Sequence, residues 1–220
     1  MKALRFERSL PRFAAARVAG RVTPGQGARV GPLRLVDVPP PPLPGPGWLR
    51  LRPRLAGICG SDLATVDGVS SRWFEPVVSF PFVPGHEVVG ELDDGSRVVL
   101  EPVLGCATRG IDPPCPACGE GDVGRCANVA FGDLSPGLQT GYCAQVGGGW
   151  SVALAAHPSQ LHAVPEDMAD EAAVMVEPAA CALRGALSVE PGAATVVVIG
   201  AGTLGLCAVA ALRRWVGPGE

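Results

Sequence analysis

Between Leu49 and Leu55 the apolar residues Leu49, Leu51 and Leu55 alternate with Arg50, Arg52 and Arg54, the period of a strand with one buried face. Further short strands are predicted at His86–Leu92, Arg97–Glu101, Tyr142–Val146 and Gln160–Val164, separated by Gly, Pro and Asp turns. Many short strands so punctuated predict a small antiparallel barrel or sandwich. Ahead of them, Val38–Gly47 (VPPPPLPGPG) excludes helix and central strand and reads as an extended, polyproline-like connector. The period changes near Pro165. Glu166–Val189 is Ala-rich with apolar positions at helical spacing, which predicts one or two helices, and Pro191-Gly192 then breaks the chain. Thr195–Ile199, rich in β-branched residues, reads as a buried parallel strand that enters a helix through Gly200-Ala-Gly202-Thr-Leu-Gly205. The predicted layout is an all-β unit over 1–165, a helical bridge over 166–190 and the opening of an α/β unit over 191–220.

Composition narrows the function. The 220 residues, 47% apolar and 18% charged, are globular and allow one core, or one domain and part of another. A net charge of −3 without any basic run argues against nucleic acid. Arg17 and Arg21 break up the apolar stretch around Phe13–Gly20, so no secretory signal is expected. Pro191–Leu212 is uncharged and long enough to cross a bilayer, but its glycines sit where a strand-to-helix turn needs them, so no membrane is expected. Eight cysteines are too few for a disulfide scaffold. Their clustering favours metal and a reducing compartment, hence a cytoplasmic protein.

Four cysteines fall within Cys106–Cys126, with the spacing Cys115-x-x-Cys118-x7-Cys126. Soft thiolates so grouped read as a closed structural zinc site. A second, separated set comprises Cys59 at a strand end, Gly85-His86-Glu87, and Glu177-Pro178 in the helical bridge. Catalytic zinc takes three such ligands and keeps one exchangeable position, and Asp62 is placed to hold a ligand from behind. The competing reading makes His86 a core histidine and Cys59 a small buried hydrophobe. Gly200-x-Gly202-x-x-Gly205 suits a pyrophosphate at a helix N-terminus.

In order, Cys59-Gly-Ser61-Asp62, Val83-Pro-Gly-His86-Glu87-Val-Val-Gly90, the cysteine lobe, Glu177-Pro178 and Val198-Ile-Gly-Ala-Gly-Thr-Leu-Gly205 resemble the zinc-dependent medium-chain alcohol dehydrogenases. The likeness is greatest to the threonine, sorbitol and glucose dehydrogenase branches and runs through the chain from about Leu33. It implies a mixed fold: a GroES-like β-barrel catalytic domain followed by the first βα unit of a Rossmann domain. It implies a catalytic zinc on Cys59, His86 and Glu177, with Glu87 an alternative ligand or close neighbour. Ser61 would pass the proton from the substrate hydroxyl, with Asp62 supporting the site. A structural zinc would sit on Cys106, Cys115, Cys118 and Cys126, with Asp112 the alternative to Cys106. NAD or NADP would lie at Gly200, Gly202, Thr203, Leu204 and Gly205. Ala64 stands where many relatives carry a histidine that takes the proton onward; His157 and His162 read as surface or strand residues and do not replace it. Cys143, Cys181 and Cys207 are expected to be buried free thiols.

The activity implied is hydride transfer between a small alcohol, polyol or carbonyl compound and NAD(P). The alternative is a zinc-binding remnant or interaction module without a working cofactor site. The chain stops within about 20 residues of the glycine motif, so it reads as an N-terminal fragment. The apolar segment Ala193–Leu212 is expected to drive homo-oligomerisation or completion by a second chain.

Overall fold

The computed structural model describes residues 1–23, 25–190 and 192–216. β1 (Lys2–Phe6) leads into two helices, α1 (Leu10–Val22) and α2 (Gly27–Val30), before β2 (Leu33–Asp37) returns antiparallel to it with Leu4 opposite Leu35. Sequence periodicity did not reveal α1. Its only buried residue is Ala16, and what supports it locally is a proline in its first turn and an Ala-rich body.

After the proline-rich connector come β3 (Leu49–Ala56), α3 (Gly60–Val66), β4 (Val88–Glu91) and β5 (Arg97–Leu100). The one-turn α4 (Pro116–Gly119) follows in the cysteine lobe, then β6 (Leu154–Ala156) and β7 (Leu161–Ala163). Five strands form one antiparallel sheet in the order β6-β3-β4-β5-β7. The edge strands β6 and β7 are joined by residues 157–160 alone, part of them a 3₁₀ turn. In a flat sheet those edges would stand about 19 Å apart, whereas a connection of this kind reaches about 10 Å. The sheet is therefore strongly curled, which is the barrel-like form expected.

The Leu/Arg alternation holds only in part. Pro53 has no N–H for a ladder, and the register of β3 against β4 shifts between Pro53 and Leu55. Before the shift Leu51 is fully buried; beyond it Leu55 is exposed, as is Leu49 at the strand's start. Consecutive residues of β4 and β5 feed opposite faces. Val88 and Val98 pack with Leu51, Leu100 and Leu154, while Val89 and Val99 pack with Ala173. Ala173 belongs to α5 (Asp170–Ala173), whose Asp170 is ion-paired to Arg54 of β3 and Arg97 of β5. Trp48, Leu104, Leu134, Cys143, Val146 and Ala155 form a third cluster joining connector, lobe and sheet.

Three expectations need correction. Tyr142–Val146 is not a strand but a turn segment, which sends Cys143 and Val146 into the third cluster. Thr195–Ile199 pairs with no strand among the described residues; without a neighbour to supply a ladder it stays open, and Val197 and Ile199 are exposed. Of the three thiols expected to be buried, Cys143 is, whereas Cys207 is half-buried and Cys181 exposed. The last two lie on α7 (Thr203–Ala211) and α6 (Val176–Leu187), which pack together around small residues such as Ala182, Ala186 and Ala211 and leave their other faces uncovered. No helix of the described residues is long and apolar enough to cross a membrane. The break read at Pro191, and residues 217–220 at the end of the predicted α/β unit, lie outside the described residues.

Candidate metal centres and cofactor cleft

β3 ends at Ala56, and a short turn brings Cys59 to the N-cap of α3. Asp62, three residues on, accepts the Cys59 N–H on Oδ2 at 3.1 Å, so one carboxylate fixes the conformation of the cysteine loop. That cap belongs to Cys59, which leaves Ser61 in the first helical turn, exposed and on the wall of a cavity. His86 and Glu87 arrive just ahead of β4. Ligand atoms of Cys59, His86 and Glu87 all lie within 4.8 Å of one another. Gly57 makes this possible: a Cβ there would strike the Glu87 carboxylate, and the Gly57 N–H is bonded to the Glu87 carbonyl at 2.8 Å. Glu177, in the first turn of α6, lines the same cavity but lies outside that gathered set.

The electrostatics suit a cation. Burial holds His86 below its usual pKa, in the neutral, ligating form, with Glu87 opposing. Burial pushes Asp62 up to about 6 against the N–H bonds from Cys59 and Gly85. Glu177 is pushed up to about 6 by burial and by the negative charge of Glu87. His86 Nδ1 and Asp62 Oδ1 are buried, lie 3.6 Å apart and have no hydrogen-bond partner. An imidazole that ligates through one nitrogen and gives its other N–H to a carboxylate resolves such a pair. The residues present fit a divalent ion of the zinc type.

The lobe is more closed. The sulfurs of Cys106, Cys115, Cys118 and Cys126 lie within 4.8 Å of one another, and Cys106 and Cys126 are 3.8 Å apart. Tetrahedral zinc with Zn–S near 2.3 Å demands an S···S edge of about 3.8 Å. Backbone N–H groups of Cys115 and Asn128 donate to the sulfurs of Cys106 and Cys126, each at 3.3 Å, and Asn128 Nδ2 donates to Cys106 at 3.3 Å. Such donors steady thiolates. Cys115 is drawn down to about 6 by the N–H groups of Ala127 and Cys118, while burial pushes Cys118 up to about 12. Four thiolates this close need a positive charge among them. Asp112 is exposed and stands outside the cluster.

Sequence reasoning missed Arg109. It is wholly buried, and its guanidinium donates to the carbonyls of Leu104, Phe131, Leu134, Ser135 and Gly137 at 2.6–3.4 Å. Burial lowers its pKa, while the nearby Cys143, Cys126 and Cys106 favour its charged form. The signal was an arginine directly beside the cysteine cluster, in Arg109-Gly110.

At the glycine motif, Gly202 is the N-cap of α7, and Gly200 has φ +110°, a value that favours glycine. A Cβ on Gly205 would strike the Gly200 carbonyl, so the turn folds tightly against the helix start. The N-cap makes no side-chain bond to the first N–H groups, which suits an anionic ligand. His157 caps the turn between β6 and β7 and meets the Trp48 ring edge-on at 5.5 Å, while His162 is exposed on β7; neither lines the cavity that holds Cys59 and His86.

The family description "Alcohol dehydrogenase GroES-like domain" matches residues 45–166. The chain is 34% identical over 189 residues to an L-threonine 3-dehydrogenase of Streptomyces avermitilis, covering 83% of this chain and 51% of that protein. It is 31% identical over 189 residues to a sorbitol dehydrogenase of Arabidopsis thaliana, covering 80% and 47%. Among solved structures, an alcohol dehydrogenase from Escherichia coli complexed with NADH superimposes with a TM-score of 0.64 at 27% identity, covering 97% of this chain and 53% of the other. The chain spans about half the length of the curated relatives it matches.

Proposed function

The chain belongs to the alcohol dehydrogenase GroES-like domain family, and from that premise we propose that it serves zinc-dependent hydride exchange between an alcohol or carbonyl compound and NAD(P). The observation that carries the reading is the convergence of Cys59, His86 and Glu87 on one wall of a cavity of about 390 Å³. In this proposal Cys59 and His86 hold a catalytic zinc with a carboxylate, Glu87 from the gathered set and Glu177 facing it. Cys106, Cys115, Cys118 and Cys126 hold a structural zinc. Gly200, Gly202, Thr203, Leu204 and Gly205 receive the pyrophosphate of the nicotinamide cofactor, in keeping with the NADH held by the solved relative. Residues 1–165 form the catalytic unit, 166–190 the bridge and 191–220 the opening of the cofactor unit.

Zinc supplies Lewis acidity towards a hydroxyl or carbonyl oxygen. The chain's own residues do the rest. Asp62 holds the Cys59 loop and faces His86, and the largely apolar cavity wall receives the substrate's carbon skeleton. The hydroxyl proton leaves through Ser61. The Tyr142 hydroxyl stands 3.3 Å from Thr65 Oγ1, which stands 2.8 Å from Ser70 Oγ. Thr65 donates to the Ser61 carbonyl at 2.9 Å, and the Ser61 hydroxyl bears on Tyr142, so a proton passed onward from Ser61 goes to Tyr142, and Ala64 supplies no other acceptor. The apolar side chains exposed at Val197, Ile199 and Leu206 support self-association or a second chain, and the thiol-rich centre supports a reducing, cytoplasmic setting.

The test is a titration of the zinc-loaded chain with NADH and NADPH followed by nicotinamide fluorescence, with alcohol oxidation measured in parallel. Binding, and turnover that Cys59→Ser removes while one zinc per chain remains, is expected. Turnover unchanged in Cys59→Ser would refute the catalytic assignment.

A further inference from the structure

From the walls of the cavity we infer that its substrate is an apolar, ring-bearing alcohol or the corresponding carbonyl compound, not a polyol or an amino acid, and that α1 sets this preference. The inference rests on the reading of the site as an alcohol-oxidising centre and names its substrate class.

One wall is a run of aromatic rings. Phe6 stacks on Phe82 at 5.1 Å, Phe80 lies 5.3 Å from Phe82, and Phe82 lies 5.2 Å from Tyr142. Tyr142 brings the run to the metal end, 6.2 Å from the His86 ring. α1 contributes Leu10 and Phe13 to the same lining, and Phe74 joins them. Ser9, Ser61 and Gln139 also line the cavity, but most of the other polar side chains on its α1 side are engaged. Arg8 and Arg72 both turn to Glu75, at 3.4 and 3.1 Å. Ser71 accepts the N–H of Trp73, and Thr65 is taken by Ser61, Ser70 and Tyr142. A polyol in this space would strip water from several hydroxyls and find few partners for them. An aromatic or alicyclic ring would meet faces and edges suited to it.

The α1 wall is docked with specific contacts. Asp67, which ends α3, accepts the N–H groups of Gly27 and Gly25 at 3.1 and 3.2 Å. The next residue, Gly68, lets α1 lie against it: a Cβ there would sit 2.5 Å from the Phe13 carbonyl and 2.9 Å from the Arg17 nitrogen. The helix that begins at Cys59 therefore ends at the dock for α1. This docked hairpin lies outside the residues 45–166 that carry the family match.

The experiment is saturation-transfer NMR on the zinc-loaded chain with benzyl alcohol, sorbitol and L-threonine as separate probes. Benzyl alcohol is expected to bind and the other two not. Phe13→Trp, which fills the space at the α1 wall, should weaken benzyl alcohol at least tenfold. Leu10→Trp, one turn earlier, reads the same wall should the first variant fold poorly, which circular dichroism checks. Sorbitol or threonine binding in place of benzyl alcohol, no binding by any probe, or insensitivity of both folded variants would overturn the inference. Turnover separates it from the reading beneath it. Benzyl alcohol bound but oxidised with neither NAD nor NADP removes the dehydrogenase reading, while oxidation of sorbitol alone keeps that reading and removes this one.

Discussion

Asp62 Oδ1 lies 3.6 Å from His86 Nδ1, with both side chains sealed from solvent. The other oxygen of the same carboxylate holds the N–H of Cys59. One buried acid thus bonds the loop of one proposed ligand and faces the other, which comes from a different segment. Asp62→Asn keeps the volume but weakens the acceptor facing His86. Zinc affinity of the Cys59 site is expected to fall about ten- to a hundredfold, with lobe zinc unchanged. Competition titration with a chromophoric chelator measures both, and unchanged affinity at the first site would refute the positioning role.

In the lobe, the 3.8 Å separation of Cys106 and Cys126 matches a tetrahedral zinc edge. Cys106→Ser should therefore lose lobe zinc and much of the folding free energy that zinc brings, on the order of 10 kcal/mol for structural sites. Asp112→Ala should lose neither, since Asp112 stands apart from the sulfurs. Zinc stoichiometry and thermal unfolding distinguish the two, and loss of lobe zinc in Asp112→Ala would reverse the assignment.

Arg109 offers a stability test independent of metal titration. Its guanidinium meets five carbonyls in a fork that no lysine reproduces. Arg109→Lys would leave several of those carbonyls unpaired and should cost about 3–5 kcal/mol, the range for breaking buried charged networks. Urea unfolding reads this directly. A change below about 1 kcal/mol would mean that the carbonyls find other partners.

Much of this was legible in the sequence because metal ligands are chemically distinctive and their spacing is local. Cys115, Cys118 and Cys126 announce a lobe, and Gly85-His86-Glu87 announces a second centre. Strands β4 and β5 were legible because both faces are buried and their valines are continuous. Three features were not. α1 has almost no buried stripe to show as a period. The register shift at Pro53–Leu55 breaks an alternation that is regular in sequence. The choice between Glu87 and Glu177 depends on how two distant segments meet, and no local pattern encodes it.

Asp170 ties α5 to the sheet through Arg54 Nε at 2.6 Å and Arg97 Nη2 at 2.9 Å. The hydrogen bond from Arg54, aided by the charge of Arg97, holds its pKa below 3.8. A carboxylate depressed on folding contributes stability that is fully present above its unfolded pKa and lost as pH falls through the folded value. Asp170→Asn should therefore be less stable than the parent at pH 7, and the gap should close in acid below pH 3.8. Raised salt should shrink it as well. Urea midpoints across that range check the slope, and a gap independent of pH would show that packing, not charge, is involved.

Glu87 and Glu177 face one cavity, and their roles can be separated. Glu87 is gathered with Cys59 and His86, whereas Glu177 is held near 6 by burial and by the charge of Glu87. Cobalt substituted at this centre reports ligand identity through its visible spectrum. Glu87→Gln should change that spectrum and weaken cobalt binding more than Glu177→Gln does. Gly57→Ala adds the decisive control, because the new methyl takes the space of the Glu87 carboxylate while leaving every ligand type in place. If Glu87 is the third ligand, Gly57→Ala reproduces the Glu87→Gln spectrum. If instead Glu177→Gln has the larger effect and Gly57→Ala is silent, the carboxylate from α6 completes the site and Glu87 is its neighbour.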